Sequence, residues 1–216
     1  MMLKQDVRLT EIFYSIQGES LFSGCPTVFV RLTGCPLRCQ YCDTAYAFTG
    51  GKLHSIAGIL SLVDAYQPKY VCVTGGEPLA QKSCLPLLKA LCDKYPYVSL
   101  ETSGALSIEN VDSRVNIVMD IKTPGSLESA KNLTANLSYL KPTDQIKFVL
   151  CNRADYAFAK DYIALNNLSQ KCELLFSPSW HDLDPAHLAE WILQDKLAVR
   201  LQMQLHKVLW NDEPGR

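Results

Sequence analysis

No apolar run in this chain approaches the ~20 residues that a membrane-spanning helix needs. The opening segment, Met1 to Ser15, lacks the apolar core and cleavage pattern of an export signal, so a soluble, cytoplasmic protein is expected. Neither sign of charge dominates. The 21 basic and 22 acidic residues leave a formal net charge of −1, with no whole-chain footprint for nucleic acid or an anionic membrane. Internal repeats, low-complexity stretches and long linkers are also missing. A length of 216 residues suits one domain, expected to run over 1–216. There are four histidines, and no His–carboxylate or Ser–His pattern stands out. That argues against ordinary acid–base or nucleophilic catalysis.

Cysteine is the exception to this plainness. There are nine, an odd count that ill suits a secreted disulfide scaffold. Three crowd onto one segment, Gly34-Cys35-Pro-Leu-Arg-Cys39-Gln-Tyr41-Cys42-Asp43-Thr44, with the spacing C-x₃-C-x₂-C. Thiolates this close can converge on one centre, and their softness narrows it to zinc, copper(I) or an iron–sulfur cluster. Structural zinc takes four ligands, usually as two pairs, and no second C-x₂-C pair exists. Three cysteines without a partner suggest a cubane with one iron left open, a position at which chemistry can occur. The other six, Cys25, Cys72, Cys84, Cys92, Cys151 and Cys172, read as core residues.

The rest alternates short β-rich runs with helical periodicity. Strands are expected at Val28–Leu32, Tyr70–Thr74, Tyr97–Glu101, Val115–Ile121, Gln145–Leu150, Glu173–Phe176 and Ala198–Gln204. Helices are expected at Ile56–Tyr66, Leu85–Leu91, Glu128–Leu140, Arg153–Asn166 and Pro185–Gln194. Such alternation implies an α/β fold with a mainly parallel sheet and helices outside. About six β–α units, against the eight of a closed barrel, fit a partial, open β/α barrel; an open doubly wound sheet is the rival. In either, working residues lie at strand C-termini. The polar oddities fall there: Arg31, the cysteine loop, Thr74-Gly75-Gly76-Glu77, Glu101-Thr-Ser-Gly104, Asp120-Ile121-Lys122 and Ser177-Pro-Ser179.

The cysteine triplet, with Tyr41 before its last member, resembles the radical S-adenosylmethionine superfamily. The resemblance implies a 4Fe-4S cluster on Cys35, Cys39 and Cys42, with S-adenosylmethionine on the open iron as the source of an adenosyl radical. Gly76, in a Gly-Gly-Glu turn, then meets the methionyl amino group. Tyr41, Cys42, Asp43, Asp120, Ile121, Lys122 and Ser177 are the other cofactor contacts expected.

A longer stretch is more specific. Ile16-Gln17-Gly18-Glu19, Arg31 four residues before Cys35, and Cys42-Asp43-Thr44 together resemble the 7-carboxy-7-deazaguanine synthase family, and the likeness runs from about Glu11 to Lys207. It implies ring contraction of 6-carboxy-5,6,7,8-tetrahydropterin with loss of ammonia, in queuosine biosynthesis. It also implies substrate contacts from Ile16, Gln17, Gly18, Arg31 and Thr74, and Mg²⁺ on Thr44. A fixed guanidinium fork suits a carboxylate, an amide suits a pterin edge, and a hydroxyl oxygen suits Mg²⁺. His206, expected on the last strand, can face the pterin, whereas His54, His181 and His187 read as surface residues. A homodimer and an electron donor such as flavodoxin or ferredoxin are further implications. The tail Trp210–Arg216 bears on the substrate pocket in some members. Two rivals share features: a small activase that makes a glycyl radical on a partner protein, and a non-catalytic iron–sulfur or zinc module.

Overall fold

The computed structural model describes residues 6–211, 213 and 215. The expected role of the Trp210–Arg216 tail therefore falls partly on residues 212, 214 and 216, outside the described ones. One nine-stranded sheet organises the chain, in the order β3-β1-β2-β4-β5-β6-β7-β8-β9. The strands are β1 (Asp6–Ile16), β2 (Pro26–Leu32), β3 (Lys52–Ser55), β4 (Tyr70–Gly75), β5 (Tyr97–Thr102), β6 (Asn116–Asp120), β7 (Gln145–Leu150), β8 (Glu173–Pro178) and β9 (Arg200–Leu201). From β2 to β9 every neighbour is parallel. β1 runs antiparallel to both β2 and β3. The two ends do not meet, so this is an open, partial barrel.

The parallel strands form because both of their faces are covered, which continuous apolar runs such as Val71-Cys72-Val73 and Ile117-Val118-Met119 permit. The helices α1 (Ile56–Asp64), α2 (Cys84–Cys92), α3 (Arg153–Leu165) and α4 (Pro185–Asp195) supply the outer cover. Ile59, Val63, Leu87, Leu88, Leu91, Tyr156, Ala159, Ile163, Leu188 and Ile192 pack into the common core. Each Val, Leu or Ile among them contributes about 1.5–3 kcal/mol on full burial. Helix starts are set by side-chain caps: Ser55 for α1, Asn152 for α3 and Asp184, followed by Pro185, for α4.

Three sequence expectations need correction. Glu128–Leu140 is not a helix but two short 3₁₀ turns, Ser129–Lys131 and Thr134–Ser138. Its asparagines are engaged in cross-linking loops instead. Asn132 bonds the backbone of Lys122 in both directions, and Asn136 donates to the carbonyls of Gly104 and Leu106. The strand expected over Ala198–Gln204 shrinks to Arg200–Leu201, because β8 offers it only Leu175 and Phe176 as partners. A short helix, α5 (Leu205–Trp210), follows, so His206 is helical. β1 and β3 were not anticipated as strands.

Candidate active site

The inward face of the sheet rises to a cavity of about 520 Å³ at the strand C-termini. One wall is the cysteine loop after β2. Cys35, Cys39 and Cys42 are partly buried, belong to no disulfide and all face this cavity. Burial raises all three thiols above their ordinary value, Cys39 to about 11. Among the described residues, no three His, Cys, Asp or Glu converge as ligands of a single ion. The loop offers three free thiol donors to the cavity. It is braced rather than loose. The Arg38 guanidinium donates to the carbonyls of Cys35 and Leu37 and lies 4.3 Å from the Phe48 ring centroid. The Gln40 amide donates to the Ser126 carbonyl at 3.1 Å.

The turn after β4 is locked against this loop. The Glu77 amide donates to the Gly34 carbonyl at 2.8 Å. The Glu77 side chain is fully buried and accepts from Thr102 Oγ1, Ser103 N, Ser103 Oγ and Leu79 N at 2.5–3.0 Å. A carboxylate so satisfied splints β4 to β5 and leaves no room for another role. Gly76 owes its identity to space. A Cβ there would stand 2.4 Å from Gly34 O and 2.7 Å from Cys35 Cβ.

Charged residues come in pairs around the walls. Lys122 Nζ reaches Asp120 Oδ2 at 2.7 Å, while Asp120 Oδ1 is buried without a partner. Burial alone would lower the Lys122 pKa, but Asp120, Cys39 and Glu77 together outweigh it and the net shift is upward. Tyr41 lies beneath Lys122, its ring centroid 5.8 Å from Nζ; burial and then Asp120 hold its phenol protonated. Across the cavity, Lys147 Nζ meets Glu19 Oε2 at 2.5 Å, and Gln204 donates to Glu19 Oε1 at 2.9 Å. Burial opposes both charges, but their mutual attraction, with His206 and Gln204 beside Glu19 and Asp120 and Glu101 near Lys147, prevails: Glu19 is lowered and Lys147 raised. Lys207 of α5 approaches Asp43 at 3.2 Å and holds it below the usual carboxylate range against burial. Glu101 accepts from Gln17 at 3.2 Å and from Thr74 at 2.9 Å, tying the Gln-Gly-Glu turn to the sheet. Arg31 also faces the cavity, its Nε bonded to Glu11 at 2.8 Å.

The chain resembles several known proteins. The Radical SAM superfamily model matches residues 29–124, which span the cysteine loop, the Gly-Gly-Glu turn and Asp120–Lys122. A 7-carboxy-7-deazaguanine synthase from Chlorobaculum tepidum is 47% identical over 96% of each chain. One from Koribacter versatilis is 40% identical over 96% of this chain and 98% of its own. The chain belongs to the 7-carboxy-7-deazaguanine synthase family. The crystal structure of QueE from Escherichia coli shares the fold, with a TM-score of 0.77, 22% identity, and coverage of 94% of this chain and 97% of that one.

Membership of the radical-SAM deazaguanine synthases implies a 4Fe-4S cluster and S-adenosylmethionine. The donor set fits them: three thiols on one braced loop, a glycine with room for no side chain beside them, and an orphaned carboxylate oxygen on Asp120. Thr44 faces the same cavity and donates its proton to Asp43 at 2.8 Å, leaving oxygen lone pairs for Mg²⁺.

Of the residues expected in the site, Ile16, Gln17, Gly18, Arg31, Tyr41, Asp43, Thr44, Thr74, Gly76, Asp120 and Lys122 line the cavity with the three cysteines. Two depart. The Ile121 side chain belongs to the core, and Ile121 does not line the cavity. Ser177 is buried on the inward side of β8, two residues below Ser179, and it is Ser179, Trp180 and His181 that line the cavity. His181 and His187 are exposed, as expected, His181 at the cavity's rim, whereas His54 is half-buried in β3. Of the six remaining cysteines, Cys72 and Cys84 are core residues and the others are half-buried. Lys147, Gln204 and Lys207 were missed. Lys147 had a signal, a lone charge in the apolar run of β7; Gln204, just before α5, and Lys207, on it, had none.

Proposed function

We infer that the chain catalyses radical ring contraction of 6-carboxy-5,6,7,8-tetrahydropterin to 7-carboxy-7-deazaguanine, with release of ammonia, in queuosine biosynthesis. The observation that carries this reading is the single cavity shared by the cysteine loop and the Gln17, Gly18 and Arg31 edge. When bound, S-adenosylmethionine and its cluster supply one-electron hydrogen abstraction. Cys35, Cys39 and Cys42 hold the cluster. Gly76 opens the approach for the methionyl group, and Asp120, Lys122 and Tyr41 meet the rest of the cofactor. On the facing side, Gln17 and the Ile16–Gly18 backbone read the pterin edge, with Thr74 beside them. Arg31 takes the substrate carboxylate through Nη1 and Nη2, and Thr44 holds Mg²⁺ near it. The protein's part is orientation and electrostatics.

The cluster needs an electron from outside, which a carrier such as flavodoxin or ferredoxin provides. Nine unpaired thiols suit the reducing cytoplasm. A homodimer belongs to the same reading, supported by apolar surface left open on Tyr14, Leu62 and Tyr66. No helix is long and apolar enough to cross a membrane among the described residues. The test is anaerobically reconstituted enzyme with the carboxy-tetrahydropterin, S-adenosylmethionine and a reductant. Deazapurine absorbance is expected; cofactor cleavage without it would reject the substrate assignment.

A further inference from the structure

Glu11 sits opposite Arg31 in the β1–β2 register, one strand further from the cavity centre. Its Oε1 accepts from Arg31 Nε at 2.8 Å and from the Tyr46 hydroxyl at 2.7 Å. Two rings complete the holder: the guanidinium carbon lies 5.4 Å from the Phe13 centroid and 5.8 Å from that of Tyr46. Arg31 lines the cavity and Glu11 does not. No described residue accepts from Nη1 or Nη2 of Arg31. The guanidinium is thus gripped by its inner edge while its outer donor pair is left to the cavity.

We propose that Glu11, itself held by Tyr46, is a positioning residue that aims the outer fork of Arg31 at the substrate carboxylate. An arginine has four flexible side-chain torsions. A bidentate bond to a carboxylate needs both Nη atoms in one plane with it. An acceptor on Nε, with rings on the flanks, restricts both rotation and tilt before the substrate arrives. The same geometry separates two effects of Glu11. Its acceptor oxygen orients Arg31, which favours binding. Its negative charge competes with the substrate for Arg31, which opposes it. Glu11→Gln retains the acceptor and removes the competing charge; Glu11→Ala removes both.

This rests on the reading of Arg31 as the carboxylate ligand, and the experiment keeps the two apart. Equilibrium binding to anaerobically reconstituted enzyme is measured for 6-carboxy-tetrahydropterin and for tetrahydropterin without the carboxylate. Glu11→Ala should weaken the carboxylated ligand about tenfold, equivalent to about 1.4 kcal/mol, and leave the other within about twofold. Glu11→Gln should stay within about threefold of wild type for both. Arg31→Met is the reference: a carboxylate-specific loss supports the underlying reading, and its absence defeats that reading. With that loss present, an unchanged Glu11→Ala, or equal weakening of both ligands, overturns the positioning role. Cleavage of S-adenosylmethionine without substrate should be the same in wild type and both Glu11 variants.

Discussion

Gly76→Ala tests how closely the glycine turn and the cysteine loop are fitted. The new Cβ would lie 2.4 Å from Gly34 O, 2.8 Å from Gly34 C and 2.7 Å from Cys35 Cβ. Ordinary contact begins near 3.4 Å, so the two loops must part by about 1 Å. Two of the three obstructing atoms are backbone. The Gly34 carbonyl is already held by the Glu77 amide, and Glu77 is anchored by four donors, so neither side yields easily. Overpacking of this kind costs about 1–3 kcal/mol, or about 2–4 °C in melting temperature per kcal/mol for a chain of this size. The functional cost should be larger, since a displacement near 1 Å at reacting groups can remove about 10²-fold in rate. Gly50→Ala is the control. Its φ of +81° makes alanine strained, but nothing lies within 4 Å of its Cβ. That strain costs about 1–2 kcal/mol, comparable in stability yet remote in effect. Melting of cluster-free protein, iron content after reconstitution and the rate of S-adenosylmethionine cleavage are measured for both. The alanine at 76 should lose cleavage and the alanine at 50 should not. Full iron and wild-type cleavage in Gly76→Ala would refute the steric account.

Lys147→Met strands Glu19 in a buried site and should destabilise by about 3–5 kcal/mol, while adding Glu19→Gln should restore most of it, as read by denaturant unfolding. Because Glu19 is lowered from 4.5 and Lys147 raised from 10.5, the pair stabilises fully between about pH 4.5 and 10.5. It weakens as Glu19 protonates below that window or as Lys147 deprotonates above it. Raised cysteine thiols are protonated at neutral pH, so cluster assembly releases protons. Apparent iron affinity of the cluster-free protein should climb between pH 7 and 9, by up to about tenfold per pH unit for each thiol that must ionise; a flat profile would contradict the protonated thiols.

The parallel sheet was legible because its central strands are apolar on both faces and end in polar residues, a pattern local to each segment. β3 was not. Lys52-Leu-His-Ser55 is mostly exposed and carries no alternation, and it is a strand only because Asp6–Leu9 pairs with it. α5 was hidden by apolar residues at every second position from Leu197 to Met203, a strand pattern that outlasts the two-residue β9. α5 is docked instead by a bond from the Leu205 amide to the Gly18 carbonyl at 2.9 Å. The cavity was readable wherever a motif sits on one loop, as with the cysteines. Glu19–Lys147 and Glu11–Arg31 are made by strand neighbours or facing walls, and no sequence spacing announces them.

Those pairs explain how one small cavity can hold lysines and arginine in their charged forms. A buried lysine alone would shed its proton and become a base. Beside Asp120 or Glu19 it keeps its charge, with an upward shift in both cases. Lys122 and Lys147 are therefore fixed dipole ends rather than proton carriers at neutral pH. Held charged at neutral pH, both can orient a charged ligand that enters the cavity. That restraint matters for radical chemistry, where the protein must hold two reactants in register and exclude competing reactions rather than add a reaction of its own. The carboxylates serve the same end. Glu11 fixes Arg31 from outside the cavity, while Asp120 and Glu19 line it beside the lysines they hold.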